Sequence, residues 1–536
     1  MSAMAEYGAA LQIESRSIEF IPESERHGRA IGLFAVWFAA NMQVTTIVTG
    51  ALGVVLGLPL PVAVLALVAG NLVGGVFMAL HSAQGPKLGI PQMIQSRAQF
   101  GFHGAVLPLL LVMVMYVGFF ATSAVLGGQA LAGATGLDVN VAIVLVAALC
   151  TVLAVFGYRL IHRADRWISL LSALGFGYLT VRLFQAGDVA RAWHGGGGSP
   201  GVFLLVVAVA ATWQITYAPY VADYSRYLPS RTSVSSTFWW TYAGSVLGSV
   251  WMMLFGAIAV SVAERAFDGG SIQFVVDLAP GAHGLFAAII VLGIIAINVL
   301  NLYGCFMSTA TTLTALRRHA ITRRTRVGYI VAAAVVSTAV AIAGRGDFLA
   351  NYENFILFLA YFLIPWTAIN LVDFYAVRKE RYDIKAIFDP DGEYGRANWR
   401  ALIPYLLAIG VEIPFMSTTF YTGPLVAAVG GADISWILGT IAGGALYYLA
   451  MRPLVVAAIP PSDHAGNRAS IADAGRVPPA APPREPPPNE SRSDAADRLT
   501  GETRAGRAGL PRPAGAGHPV AQPGPRDLRR GDDAAR

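Results

Sequence analysis

Charge is scarce in this sequence. Of 536 residues only 13% are Asp, Glu, Lys or Arg, against about 25% in an ordinary soluble domain. Hydrophobic residues make up 55%, and the mean hydropathy is +0.55. Such a chain is a polytopic membrane protein. Cysteine is nearly absent. Cys150 and Cys305 each sit inside an apolar run, which excludes a disulfide framework and any cysteine-based metal spacing. The nine histidines are scattered, and the acidic pairs Asp389/Asp391 and Asp532/Asp533 fall in a loop and a tail. The paired carboxylates or histidine clusters of a membrane metalloenzyme are therefore lacking, as is the repeated filter or ring of charge of a channel. No catalytic residue, metal site or cofactor is expected. Lysine occurs only at Lys87, Lys379 and Lys385. The net charge of +6 comes from basic residues in short segments between apolar runs, not from a continuous stripe, so nucleic acid is not an expected partner.

What is present is a series of long apolar runs. A bilayer core of about 30 Å needs about 20 such residues per helix. That ruler predicts twelve spans, near 30–57, 59–81, 105–131, 139–157, 167–185, 202–222, 237–262, 284–307, 327–343, 355–377, 401–421 and 435–458. The segment 1–29 is polar and has no apolar core of a signal peptide, so span 1 is expected to act as its own insertion signal. Alternate loops are basic: Lys87 and Arg97; Arg159, Arg163 and Arg166; Arg226 and Arg231; Arg317, Arg318, Arg323, Arg324 and Arg326; then Arg378 through Arg400. The intervening loops hold little beyond Arg182, Arg191, Arg265 and Arg345. The positive-inside rule puts the basic set, and both termini, in the cytoplasm of a cell whose cytoplasmic membrane the protein spans. Residues 460–536 are rich in Pro, Ala, Gly, Arg and Asp with no aromatic residue, the composition of a disordered cytoplasmic tail. The transmembrane domain is thus expected over 30–459.

Two spans carry residues that lipid does not favour. Span 1 is interrupted by Asn41, Gln43, Thr45 and Thr46. Span 6 runs into "TWQITYAPYVADYSRYLPS", Thr212 to Ser230, where Pro219 removes a backbone donor. Breaks in a membrane helix persist only beside protein or a water-filled cavity. Five crossings separate the two spans, so they run in opposite directions. Broken helices at corresponding places in two inverted halves point to a transporter site; two kinked packing helices are the alternative.

Several side chains near the breaks can hold a flat polar ring. Trp213 and Tyr217 are four apart and share a helix face, and a ring can stack on either. Gln214 offers a donor and an acceptor. Asn298 and Asn301 lie three apart in "IIAINVLNLYG" of span 8; they are either ligands or interhelical hydrogen-bond partners. Phe119 and Ser123 are four apart on span 3. Asp223 and Asp373 are read as local ion-pair partners at helix ends. Glu412, inside span 11, is an intramembrane carboxylate and so a functional suspect.

Four stretches carry a resemblance: "WFAANMQVTTIVTGALG" from Trp37, "GNLVGGVFMALHSAQGPKLGIPQMIQSRAQFG" from Gly70, "YAPYVADYSRYLP" from Tyr217 and "IPWTAINLVDFYAVRK" from Ile364. In order and spacing, over roughly residues 15–450, the chain resembles nucleobase:cation symporter family 1, in particular its purine–cytosine permease branch. The resemblance implies an all-α polytopic membrane protein of about twelve transmembrane helices: a five-plus-five inverted repeat with broken helices 1 and 6, plus two C-terminal helices. It implies a nucleobase-like substrate at mid-membrane between spans 1, 3, 6, 8 and 10, sandwiched between aromatic side chains of spans 3 and 6 and hydrogen-bonded by amides of spans 3 and 8. Family members usually have Trp and an amide where this chain has Phe119 and Ser123; Gln43 at the span 1 break is the candidate replacement amide. Sodium-coupled members hold the cation with carbonyls of the span 1 break and hydroxyls of span 8. The matching stretch here, Gly293 to Ile297, has no hydroxyl, so a proton is the expected coupling cation. A symporter importing cytosine or a purine is the leading expectation. Allantoin, a hydantoin, thiamine or a thiamine precursor are the alternative solutes.

Overall fold

The structure, a computed structural model, describes residues 18–457 apart from 157, 187, 194, 264–270 and 318–321. The expected tail at 460–536 and most of the expected amino-terminal segment lie outside the described residues. So do Arg265, Arg318 and the side chains of Arg159, Arg163, Arg166, Arg317 and Arg323.

Regular structure among the described residues is helical, with one isolated antiparallel bridge between Ser417 and Thr422. Among the described residues nine helices are long and apolar enough to cross a bilayer, and a bent pair makes a tenth. That pair, Gly32–Ala40 and Val44–Val55, is span 1. Spans 2 to 5 are Leu60–Leu88, Val106–Thr135, Val139–Phe156 and Tyr158–Ala186. Span 6 is Pro200–Ile215 and Ala218–Ser225, and span 7 is Val234–Val262. Spans 8 to 10 are His283–Arg317, Arg323–Gly344 and Phe348–Val377, and span 12 is Ser435–Ala457. Span 11 is shorter than expected. Its helix, Trp399–Glu412, gives way to a tight turn at Ile413–Phe415, because Pro414 cannot donate to the carbonyl four residues back and clashes with it. A further helix, Gln92–Phe100, links spans 2 and 3.

The two breaks differ in kind. Span 1 bends by 62° at Asn41–Gln43, where Gln43 is fully extended (φ −141°, ψ 156°). Span 6 breaks at Thr216–Tyr217, one residue earlier than the sequence suggests. The Tyr217 amide reaches only three residues back, to the Gln214 carbonyl at 3.2 Å. Pro219 then sits in the first turn of Ala218–Ser225, the one helical position where its missing N–H does no harm.

Spans 1, 2, 6 and 7 pack on one another as one group, and spans 3, 4, 8 and 9 as a second; spans 10, 11 and 12 form a third. Each of the first two groups holds a pair of consecutive spans and the pair five positions later. That is the partition an inverted five-span repeat produces. Small residues let the helices of the first group touch. A Cβ on Gly50 would fall on the Met253 backbone, and one on Gly256 on the Ile47 carbonyl. Between helices in lipid, such close approach replaces the hydrophobic driving force that lipid tails do not supply.

Candidate binding site

A narrow cavity lies between the first two groups at the level of both breaks, its empty space about 280 Å³ when the open solvent at its mouth is counted. The first group contributes Gln43 from the span 1 break and Trp213, Thr216, Tyr217 and Tyr220 from the span 6 break. The second contributes Phe119 and Ser123 of span 3 and Ile297 and Asn301 of span 8. Six of the eight residues singled out in the sequence thus share one cavity: Gln43, Phe119, Ser123, Trp213, Tyr217 and Asn301.

The aromatic lining is set edge to face. Trp213 meets Phe119 at 5.9 Å between centroids and 87°, and Tyr217 at 6.0 Å and 89°. Tyr217 meets Tyr220 at 5.9 Å and 72°. Aromatic quadrupoles favour this arrangement over a face-to-face sandwich, and it brings Phe119 of span 3 and Trp213 of span 6 into direct contact.

Gln214 and Asn298 go elsewhere. Gln214 donates to the Asn71 side chain (2.9 Å) and to Ser249 Oγ (2.6 Å), and accepts from Ser245 Oγ (2.6 Å). Its amide ties span 6 to spans 2 and 7, inside the first group. Asn298 donates to the Phe120 carbonyl (3.3 Å) and accepts from Asn301 Nδ2 (3.2 Å). Of the two span 8 amides, Asn301 reaches the cavity and Asn298 braces it against span 3.

Asn41 was read in the sequence only as a helix interruption, and it organises the site. Its Oδ1 accepts the Trp213 indole N–H at 2.8 Å and the Tyr217 hydroxyl at 3.3 Å. Its Nδ2 donates to the Trp37 carbonyl at 2.8 Å, one turn back in its own helix, and to Ser245 of span 7. The side chain is fully buried. Replacing it with Ala leaves the Trp213 N–H and the Trp37 carbonyl partnerless, each at about 1–3 kcal/mol. Asn41→Ala is therefore expected to lower the melting temperature of the detergent-solubilised protein, and an unchanged melting curve would contradict this role. The other lining residues absent from the sequence reading follow helical spacing: Thr216 and Tyr220 stand three beyond Trp213 and Tyr217, and Ile297 four before Asn301.

A narrow crevice, with no room for a water molecule, adjoins the span 1 break. Met42, Gln43 and Val44 line it from span 1, Ser172 and Phe176 from span 5, and Ile289, Ile290, Gly293 and Ile294 from span 8. Ser172 is the one hydroxyl in that lining. Glu412 lies away from the cavity and the crevice, fully buried, its carboxyl packed on Gly439 of span 12. Asp223, expected to pair locally, accepts the Gln92 backbone N–H on Oδ1 at 2.7 Å, placing a negative charge at the N-terminus of Gln92–Phe100. Among the described residues no three His, Cys, Asp or Glu side chains are placed to hold a metal ion.

Residues 20–439 match a family model described as permease for cytosine/purines, uracil, thiamine, allantoin. A Bacillus subtilis chain that carries the provisional name purine-cytosine permease YxlA is 47% identical over 443 residues, 83% of this chain and 97% of that one. The purine-cytosine permease fcyB of Emericella nidulans is 27% identical over 470 residues, 84% of this chain and 90% of that one. Among solved structures, the inward-facing conformation of Mhp1 has the same fold, with a TM-score of 0.69 at 20% identity, covering 86% of this chain and 98% of that one. The inverted-repeat packing, the paired helix breaks and these matches agree: the chain belongs to nucleobase:cation symporter family 1, in its purine–cytosine permease branch.

Proposed function

We propose that the protein is a secondary active transporter that imports a nucleobase, cytosine or a purine, across the cytoplasmic membrane by alternating access, coupled to protons. The observation that carries this reading is the position of the cavity. It lies between two separately packed groups of spans, and both broken helices open onto it. Rocking one group against the other exposes such a site to one side and then the other. Its lining suits a flat heterocycle. Trp213 and Phe119 supply the ring contacts, and Gln43, Ser123 and Asn301 supply donors and acceptors for the edges. The names of the relatives, purine-cytosine permeases, support the same substrate class. In this reading the basic loops and both termini face the cytoplasm, as the loop charges predict.

Proton coupling is favoured over sodium on the chemistry of the crevice beside the span 1 break. A hard cation takes several oxygen ligands, as magnesium and calcium sites illustrate. The lining of that crevice offers the side-chain oxygens of Ser172 and Gln43, among Met, Val, Phe and Ile; the buried hydroxyls of Thr45 and Thr46 on span 1 lie outside that lining.

The test is uptake of labelled cytosine, adenine and hypoxanthine in cells lacking their own permeases, with and without sodium and with an uncoupler. Accumulation that collapses with the uncoupler and ignores sodium is expected. Absence of uptake of all three bases by well-expressed protein would overturn the nucleobase assignment and turn attention to hydantoin, allantoin and thiamine. Sodium-dependent accumulation would overturn the proton.

A further inference from the structure

Away from the cavity, a second polar region is buried where the basic end of span 2 meets span 10 and the helix Gln92–Phe100. Span 2 packs along its length on spans 6 and 7 and only sparingly on span 10. The contacts with span 10 are polar or aromatic. Gln84 Nε2 donates to Asn370 Oδ1 at 2.8 Å, and the Tyr375 hydroxyl donates to the Leu80 carbonyl at 2.8 Å. The ring of His81 stacks on Trp366 at 5.2 Å and 22°. Trp366 is anchored in turn by its indole N–H to Ser96 Oγ at 3.0 Å. This seam is a polar stretch of the boundary between the first and third groups, which are joined mainly where span 6 packs on span 10.

His81 has a defined protonation chemistry there. It is fully buried, and Nδ1 lies 2.8 Å from the Phe77 carbonyl. A carbonyl only accepts, so Nδ1 carries the hydrogen and the basic lone pair is on Nε2. Nε2 is buried and makes no hydrogen bond among the described residues. The same seam holds other buried polar atoms without partners among the described residues: Gln92 Oε1, Gln99 Oε1, Thr367 Oγ1 and Asn370 Nδ2. A proton added at Nε2 makes an imidazolium parallel to an indole, a cation–π pair that a desolvated setting strengthens.

The charged groups on the surrounding elements are occupied elsewhere. Asp223 of span 6 accepts the Gln92 amide. Asp373 of span 10 accepts from Gln99, Tyr382 and Tyr447 and faces Arg378 at 3.3 Å. Arg97 of the linking helix stacks on Phe102, 4.2 Å from its centroid, and burial pushes its guanidinium down to about 10. Lys87 at the end of span 2 is exposed. Span 7 meets span 2 here through Thr241, bonded to Ser82. His81 is thus the titratable group on this stretch whose open nitrogen faces the seam.

We propose that His81 Nε2 binds the coupling proton, at the seam between span 2 and span 10, with Trp366 as its stacking partner. The assignment rests on the proton-coupled reading above. A proton bound there changes the contact between the first and third groups, and so biases the equilibrium between the conformations that alternating access requires.

The test uses full-length protein in proteoliposomes, with His81→Gln and His81→Asn, and labelled cytosine as the probe. Two signals are read: accumulation driven by an imposed pH gradient, and exchange of internal for external cytosine without a gradient. Both variants are expected to lose at least tenfold in gradient-driven accumulation while still exchanging cytosine, with exchange no longer varying between pH 5 and 8. Gradient-driven accumulation by either variant at the wild-type level overturns the proposal. So does parallel loss of exchange in both, which assigns His81 to packing. Retention in the His81 variants with loss in Glu412→Gln moves the proton to span 11. Wild-type accumulation that follows sodium and not pH overturns the coupling reading itself, whatever the His81 variants do.

Discussion

Replacing Trp213 with Ala is expected to raise the half-saturating substrate concentration by about 10–100-fold with the protein still in the membrane. Stacking of a base on an aromatic side chain contributes roughly 1–3 kcal/mol, and every 1.4 kcal/mol is about a factor of ten. The truncation also frees Asn41 Oδ1 from its 2.8 Å contact and removes the edge on which Phe119 and Tyr217 rest, so the loss lies toward the upper end of that range. Trp213→Phe separates the two contributions. It keeps a six-membered ring for the substrate but loses the indole N–H and part of the ring's contact area, so its uptake should fall between wild type and Trp213→Ala. Membrane abundance, measured in parallel, guards against simple misfolding. Wild-type uptake kinetics in both variants would sink the site.

Gly256→Val is expected to abolish recovery of folded protein. At Gly256 the added carbon would land on the Ile47 carbonyl, with the Ala51 amide nitrogen 3.0 Å away, and backbone cannot step aside as a side-chain tip can. Overpacking a core costs about 1–3 kcal/mol even where side chains can yield; here span 7 would have to leave span 1. The control is Gly328→Val, because nothing lies within 4 Å of a Cβ at Gly328. Size-exclusion profiles of the two detergent-solubilised variants check the point: aggregated for Gly256→Val, monodisperse for Gly328→Val. Equal behaviour would mean that the contact between spans 1 and 7 does not hold the first group together.

Much of this architecture is legible in the sequence, because lipid leaves few choices. Apolar length fixes the spans, and Asn, Gln or Pro within them fixes the breaks. Span 11 departs from its expected extent because Pro414, which lies within an apolar run, ends the helix. The site is only half legible, and the reason is rotational. Each residue of a helix turns about 100° from the last. Trp213 and Gln214 are neighbours in sequence, yet one faces the cavity and the other spans 2 and 7. Spacing says which residues share a face, not which face meets the cavity. Asn298 and Asn301 differ by about 60° on the same rule, enough to put one amide at the lining and the other against the Phe120 carbonyl. Asn41 was hidden for another reason. Its hydrogen bonds to Trp213 and Tyr217 cross 172 and 176 positions of chain, and no local pattern encodes them.

One consequence concerns how the two broken helices move. A single amide oxygen, Asn41 Oδ1, receives both the Trp213 and the Tyr217 hydrogen bonds. The discontinuities in spans 1 and 6 are therefore tied to each other through one atom. Anything that displaces the Trp213 ring pulls on span 1 through the same atom. In the proposed transport cycle, a solute that displaces the Trp213 ring would therefore act on both discontinuities through the same atom.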